Sequence, residues 1–429
     1  MRRETLACCL LLLGAGLLSG PARGEIATID PVPAATLLLP YFEVDLVDET
    51  GIGLTTLFTV TNVSPHPQLA RVVLWSDLGV ATFGFMVYLT GYDVVSVNLR
   101  HIFNGNVPVT ADLTQDPGNL ISPQGALSGD TDFPACDDFF FPPPPVPPVL
   151  IDHLAAAHTG NQSPLDGNCL GLNYGDGVAR GYVTLDVVDR CTVQIPGDAG
   201  YFVAGGQGEA LNDNVLVGEY YLVDGANNFA QGDLMVHIEA DGLNPETATP
   251  GEYTFYGRYV AWTAADNREP LASTFAGRFL QFPLGGGTDQ LVWRDSKELQ
   301  NPFTCGTVPS PFPLGQTQIV LFDEQENPEL APTFPYYPVP PPPNFTPYAW
   351  AATRVSVGGP QLPVAYSFGW LYDNLNTTTP FANPPEDPQA AQAWVTTVHS
   401  AFSLFSVGHS AVQLDSAANA NSAVVEPPP

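Results

Sequence analysis

The sequence predicts an all-β fold: two β-sandwich domains, the first immunoglobulin-like, joined by a Pro/Gly-rich connector, with one or two short helices. Three observations carry this. Short apolar runs alternate with period two, as in Phe85, Val87 and Leu89 against Met86, Tyr88 and Thr90. Turn chemistry separates the runs at spacings of roughly ten residues, the rhythm of a sandwich. No fixed-period repeat occurs, which disfavours a propeller or solenoid.

The chain begins with features of an export signal. Arg2 and Arg3 precede an apolar stretch over 6–18, and Pro21, Ala22, Arg23 and Gly24 resemble a cleavage site. A mature chain from Glu25 is expected. The stretch of about 13 residues is short of the roughly 20 that span a bilayer. No later run holds 18 consecutive apolar residues, so no membrane insertion of the mature chain is expected. These features predict a secreted protein, periplasmic or extracellular.

Charge narrows the partners. The chain has 13 basic and 44 acidic residues, a net charge of −31, and removing Arg2, Arg3, Arg23 and Glu4 takes this to −33. Nucleic acid and anionic membrane both require cationic surface and are therefore disfavoured.

The N-terminal sandwich is expected over 25–112. Its opening strand falls at 37–42, followed by strands at 55–62, 69–76, 85–90 and 94–99. The turns between them include Ser64-Pro65-His66-Pro67 and Gly91-Tyr92-Asp93. Over 113–168 the alternation stops, and an irregular connector is expected with one helix at 149–158. Pro148 suits a first helical turn and Gly160 a stop.

A larger β-rich domain is expected over 169–414, with strands at 179–188, 215–223, 234–239, 253–262, 275–282, 291–293 and 318–322. A proline strap over 335–347 reads as polyproline II. Late strands are expected at 349–357 and 402–414, with a helix near 388–398 capped by Asp387. A disordered tail is expected over 415–429.

Four cysteines follow the expected cleavage site: Cys136, Cys169, Cys191 and Cys305. An even count in an exported chain reads as two disulfides, with three connectivities open. The favoured one joins Cys136 to Cys169 and Cys191 to Cys305. The spacings contain no CxxC, which leaves a zinc or redox reading little support.

The segments LLLPYFEVD at 37–45, TTLFTVTN at 55–62, YLTGYD at 88–93, YTFYGRYV at 253–260, DNREPL at 266–271, VWRD at 292–295 and FDEQEN at 322–327 together resemble a family of exported bacterial proteins of unknown function. The resemblance implies export and supplies no catalytic residues.

The densest polar constellation lies between 258 and 327. Arg258, Arg268, Arg278 and Arg294 sit there among Asp266, Glu269, Asp295, Asp323, Glu324 and Glu326. In an arginine-poor chain this suggests bidentate pairs of arginine with carboxylate. One reading is a salt-bridge lattice holding loops across the second sheet. Another is a sugar or carboxylate site with Trp262 or Trp293 as a stacking platform. Paired-carboxylate hydrolysis would need two carboxyls about 5 to 10 Å apart across a substrate.

Other signals are weaker. His237 and Glu239 share one strand face without a third metal ligand in view. His153 and His158 are five apart on a helix and diverge. The patterns HExxH, GxSxG and a P-loop are absent. No cofactor is identified. Oxygen-rich loops at 212–214, 224–228 and 323–327 would suit structural calcium, and turn formation explains them equally well.

These readings converge on an exported structural or binding protein without covalent chemistry, with a glycan or an envelope protein as partner. The alternatives are a carbohydrate-binding or carbohydrate-hydrolysing module and a calcium-stabilised adhesin.

Overall fold

The computed structural model describes residues 31–48, 51–108, 110, 136, 146–281, 286–296, 298–310, 312–330, 346–376, 392–401 and 405–414. The expected signal peptide, the tail, most of the proline strap and much of the connector lie outside these residues.

In the first part of the chain, β1 (Thr36–Asp45), β2 (Thr55–Asn62), β3 (Gln68–Ser76), β4 (Ala81–Leu89) and β5 (Val94–Asn98) are followed by helices α1 (Leu99–Phe103) and α2 (Pro148–Thr159). Next come β6 (Val178–Val188), β7 (Leu216–Asp224), β8 (Phe229–Leu234), β9 (Val236–Ile238) and α3 (Pro245–Ala248). The remainder holds β10 (Thr274–Leu280), β11 (Gly286–Arg294), β12 (Gln318–Asp323), β13 (Pro328–Leu330), β14 (Ala352–Val357), β15 (Phe368–Asn374), β16 (Ala393–Ala401), β17 (Phe405–Ser410) and β18 (Val412–Gln413).

The strands form four antiparallel sheets, so the fold is all-β. Their orders are β4-β3-β6-β1-β9, β5-β2-β7-β8, β14-β11-β16-β17 and β13-β12-β15-β10-β18. The first two sheets pack on each other. β6 lies between β3 and β1, and β7 pairs with β2 along its whole length. The first sandwich therefore needs strands from 178–238, beyond the expected boundary at 113–168. An open sheet built from β1 to β5 alone would leave the edges of β1 and β2 without partners.

β1 explains why its sequence reads as a nearly continuous apolar run. Leu37 meets Gly218 across the sandwich, whereas Thr36 turns the other way onto Asp186. Both faces are covered, so both are apolar. Pro40 falls where the register with β6 shifts between Leu39 and Phe42, a position that needs no ladder donor.

The β14-β11-β16-β17 sheet is also covered on both faces. Leu291, Trp293, Trp394 and Val398 join the first core, while Val292, Ala393 and Val395 join the second, with Phe275, Phe279, Ile319 and Leu371. This alternation overturns the helix expected near 388–398. Its described part, 392–398, is extended because side chains of opposite parity have a core on each side. The part from 388 to 391 lies outside the described residues.

The helix expected at 149–158 is α2, with Pro148 in its first turn and Gly160 at φ 68° ending it. The strand expected over 253–262 does not form. A 3₁₀ turn, Gly257–Val260, replaces it and ends at Ala261 with φ 52°. Consecutive Phe255 and Tyr256 are both buried, which a half-exposed strand cannot provide.

The disulfides join Cys136 to Cys191 and Cys169 to Cys305, not the favoured pairing. Cys169 and Phe303 exchange backbone hydrogen bonds, which brings Cys305 to Cys169. Cys136 instead packs with Leu69, Met86, Tyr88 and Val188 beside Cys191. Sequence distance carried no information about either contact.

Candidate functional site

The structure divides the expected cluster into two groups. Asp266, Arg268, Trp293, Arg294 and Asp295 are buried, as is the side chain of Arg258, where the first sandwich meets the β14-β11-β16-β17 sheet. Arg258 Nε lies 2.7 Å from Asp295 Oδ1, and its guanidinium stacks 4.0 Å from the Tyr259 ring. Burial alone would lower the Arg258 pKa, but Asp295 and Tyr259 outweigh it and hold the guanidinium charged.

Arg268 lies 3.5 Å from Asp186 and 3.7 Å from Asp266, donates to Thr36 and Leu211, and stacks on Phe202. Burial raises the carboxyl pKa of both Asp186 and Asp266, with Arg268 opposing it in each case. Arg294 donates to the carbonyls of Tyr348 at 2.7 Å and of Gly315 and Leu375, each at 2.6 Å. Burial pushes its pKa down to about 9, against Tyr348 and Asp295. Glu269 is half-buried, and its peptide N–H donates to Glu239.

This group is a lattice that ties sheets together. Trp293 is 0% exposed and Trp262 is 8% exposed, so neither offers a face to a ligand. A second bridge across the same seam runs from Glu43 on β1 to Arg354 on β14 at 2.9 Å, and from Arg354 to Asp289 on β11.

The four remaining residues, Arg278, Asp323, Glu324 and Glu326, come together elsewhere. They line a groove of about 710 Å³ with Phe368, Trp370, His409, Ser410 and Val412. That volume falls in the usual range of small-molecule sites. The floor is the outer face of the β13-β12-β15-β10-β18 sheet. Register places Arg278 directly opposite Trp370, and Trp370 directly opposite Phe322. The Phe322 and Trp370 rings stack with centroids 4.1 Å apart and planes 4° from parallel.

Since neighbouring strands lie about 4.8 Å apart, two rings stacked at this spacing stand as parallel plates across the sheet. Phe322 occupies one face of the indole. The strand order puts β10 and Arg278 on the other side of Trp370. Arg278 is exposed and makes no ion pair, hydrogen bond or ring contact among the described residues.

An acidic turn forms the rim. Asp323 accepts from the peptides of Gln325 at 2.8 Å and Asn327 at 2.9 Å, and from Asn327 Nδ2 at 2.8 Å. The hydrogen bonds from Asn327 hold its carboxyl below the usual carboxylate range. Glu326 closes the turn at φ 65°, and Glu324 and Glu326 are exposed. On the opposite wall, Ser410 donates to Asp233, and His409 stacks on His399 at 5.3 Å.

Sequence reading missed Trp370 and Phe368. Their signal was the alternation in Phe368-Gly369-Trp370-Leu371, in which Leu371 faces the core while Phe368 and Trp370 keep exposed surface.

The other candidates take ordinary structural places. His237 Nε2 lies 3.1 Å from the Gly218 peptide nitrogen, joining β9 to β7. His153 meets Ser163 and His158 meets the Arg180 carbonyl, so the two diverge. In two of the oxygen-rich loops the side chains bind their own turns: Asp224 with Asn227, and Asp323 with Asn327.

No family model matches the sequence, and no curated protein matches it. Among solved structures, a match is Streptomyces avermitilis α-L-rhamnosidase complexed with L-rhamnose, at 9% identity and a TM-score of 0.16. It covers 91% of this chain and 26% of that one, so the chain spans about a quarter of the rhamnosidase's length. At that score the likeness carries no argument about fold or function.

Proposed function

We propose that this chain is an exported glycan-binding protein and that its groove between β10 and β15 holds the sugar. The observation that carries this is the row Phe322, Trp370 and Arg278 across three adjacent strands. An indole backed by a second ring is a rigid apolar plate suited to the C–H face of a pyranose. Carboxylates accept only, so Glu324 and Glu326 suit sugar hydroxyls as donors. Phe368, two residues along β15 and 44% exposed, offers a second apolar contact about 7 Å away.

The two disulfides support export, since such bonds persist in oxidising compartments. No helix among the described residues is long and apolar enough to cross a membrane. Binding is proposed over hydrolysis because the Asp323 carboxylate is taken up by its own turn, accepting from Gln325 and Asn327.

The test is calorimetric titration of the oxidised protein with a panel of soluble polysaccharides, repeated with Trp370→Ala. Saturable binding to one glycan, lost in the variant while its melting temperature holds within a few degrees, supports the reading. Binding unchanged in the variant, or no binding to any glycan, overturns it.

A further inference from the structure

We infer that the groove selects saccharides bearing a carboxylate, namely uronic-acid residues, with Arg278 as the receptor of that group. This rests on the glycan reading above. Every other arginine among the described residues is engaged by a carboxylate or a carbonyl. Arg71 donates to Val193 and Gln194, Arg100 meets Asp48, and Arg190 meets Glu209. Arg180 meets Asp176, Arg354 meets Asp289, and Arg258, Arg268 and Arg294 lie in the lattice.

Of the arginines among the described residues, Arg278 alone has no such partner, although Glu324 and Glu326 line the same groove. A neutral sugar would leave that guanidinium unmatched. A uronate would meet it with two parallel N–H···O bonds while its ring lies against the exposed part of Trp370 in the same groove. Its hydroxyls would then face the acidic rim. Arginine suits this position because its planar fork matches a carboxylate, which a lysine ammonium does not.

The surrounding charge makes a second demand. With a net charge of −31, the protein repels an anionic oligosaccharide at long range. The repulsion is screened over about 10 Å at 0.1 M salt, whereas the contact at Arg278 is much shorter. Association should therefore quicken as salt rises from a few millimolar to 0.1 M, opposite to a site that attracts its ligand by net charge.

The experiment titrates wild type, Arg278→Lys, Arg278→Ala and Trp370→Ala with oligogalacturonate and oligo-alginate, each as free acid and as methyl ester. The expected result is that esterification or Arg278→Ala weakens binding about ten- to a hundredfold, the worth of a charge-assisted bond, with Arg278→Lys in between. Arg278 is exposed, so its variants should melt with wild type. Equal binding of acid and ester, or wild-type affinity in Arg278→Ala, overturns the uronate assignment and leaves glycan binding standing. Binding only to uncharged glycans does the same. No binding to any saccharide overturns both.

Discussion

Arg258 and Asp295 meet at 2.7 Å with the guanidinium side chain 2% exposed and the carboxylate side chain 0% exposed. Asp295 also accepts from Gln392 Nε2 at 3.2 Å, and Gln392 reaches the carbonyls of Thr254 and Phe255. The pair therefore clamps the 253–262 turns to the ends of β11 and β16. Truncating one partner of such a pair strands a buried charge and costs about 3 to 5 kcal/mol. Arg258→Met and Asp295→Leu should each destabilise by that amount in urea unfolding. The double variant should lose less than the sum, by 1 kcal/mol or more on the order of a coupled pair. Additive losses would show that the two charges do not interact.

Asp373 lies at the centre of the second core with no cation beside it among the described residues. Gln290 Nε2 donates to it at 2.8 Å and the Tyr348 hydroxyl at 3.2 Å. Burial raises its pKa from 3.8 to about 6, with these two hydrogen bonds opposing. The folded chain thus binds more protons than the unfolded chain between those values, and stability falls as pH rises through that window. At 1.36 kcal/mol per pH unit the loss approaches about 3 kcal/mol above pH 6. His158 acts with the opposite slope, because burial lowers its pKa from 6.5 to about 4 and stability falls as pH drops through that range. Comparing Asp373→Asn with wild type cancels the histidine. The variant should gain on wild type by about 2.5 kcal/mol between pH 4 and pH 8. A constant difference across that range would mean that Asp373 is ionised throughout.

The disulfides close loops of sequence separation 55 and 136. Loop-closure entropy in the unfolded chain assigns them about 4 and about 5 kcal/mol respectively. Replacing Cys169 and Cys305 together with serine should lower stability more than replacing Cys136 and Cys191, as read from denaturation midpoints. The reverse order would place the larger contribution in the local packing of Cys136 among Leu69, Met86 and Tyr88.

Much of the fold was legible in the sequence. Residues 55–62 form β2 as expected, because one side of an exposed sheet alternates and turn residues bound it. β16 was illegible for the opposite reason. With a core on each side, its Ala393, Trp394 and Val395 lose the polar face that marks a strand, and an apolar run beside Asp387 and Pro388 reads as a helix. The arginine cluster was legible as a set but not by role. Arg278 and Arg294 look alike in sequence, and only the layer above each decides that one faces a groove and the other meets four carbonyls.

The sequence by itself determined the β class, the α2 helix with its proline start and glycine stop, and the presence of two disulfides. These depend on local backbone preference, on two-residue periodicity and on counting. The tertiary structure alone decided that β6 inserts between β1 and β3, that Cys169 meets Cys305, and that Trp370 is half-buried while Trp293 is fully buried. Each of these depends on what packs opposite a residue more than a hundred positions away or across a layer. Burial and pairing are properties of that neighbour, and they leave no trace in the local pattern.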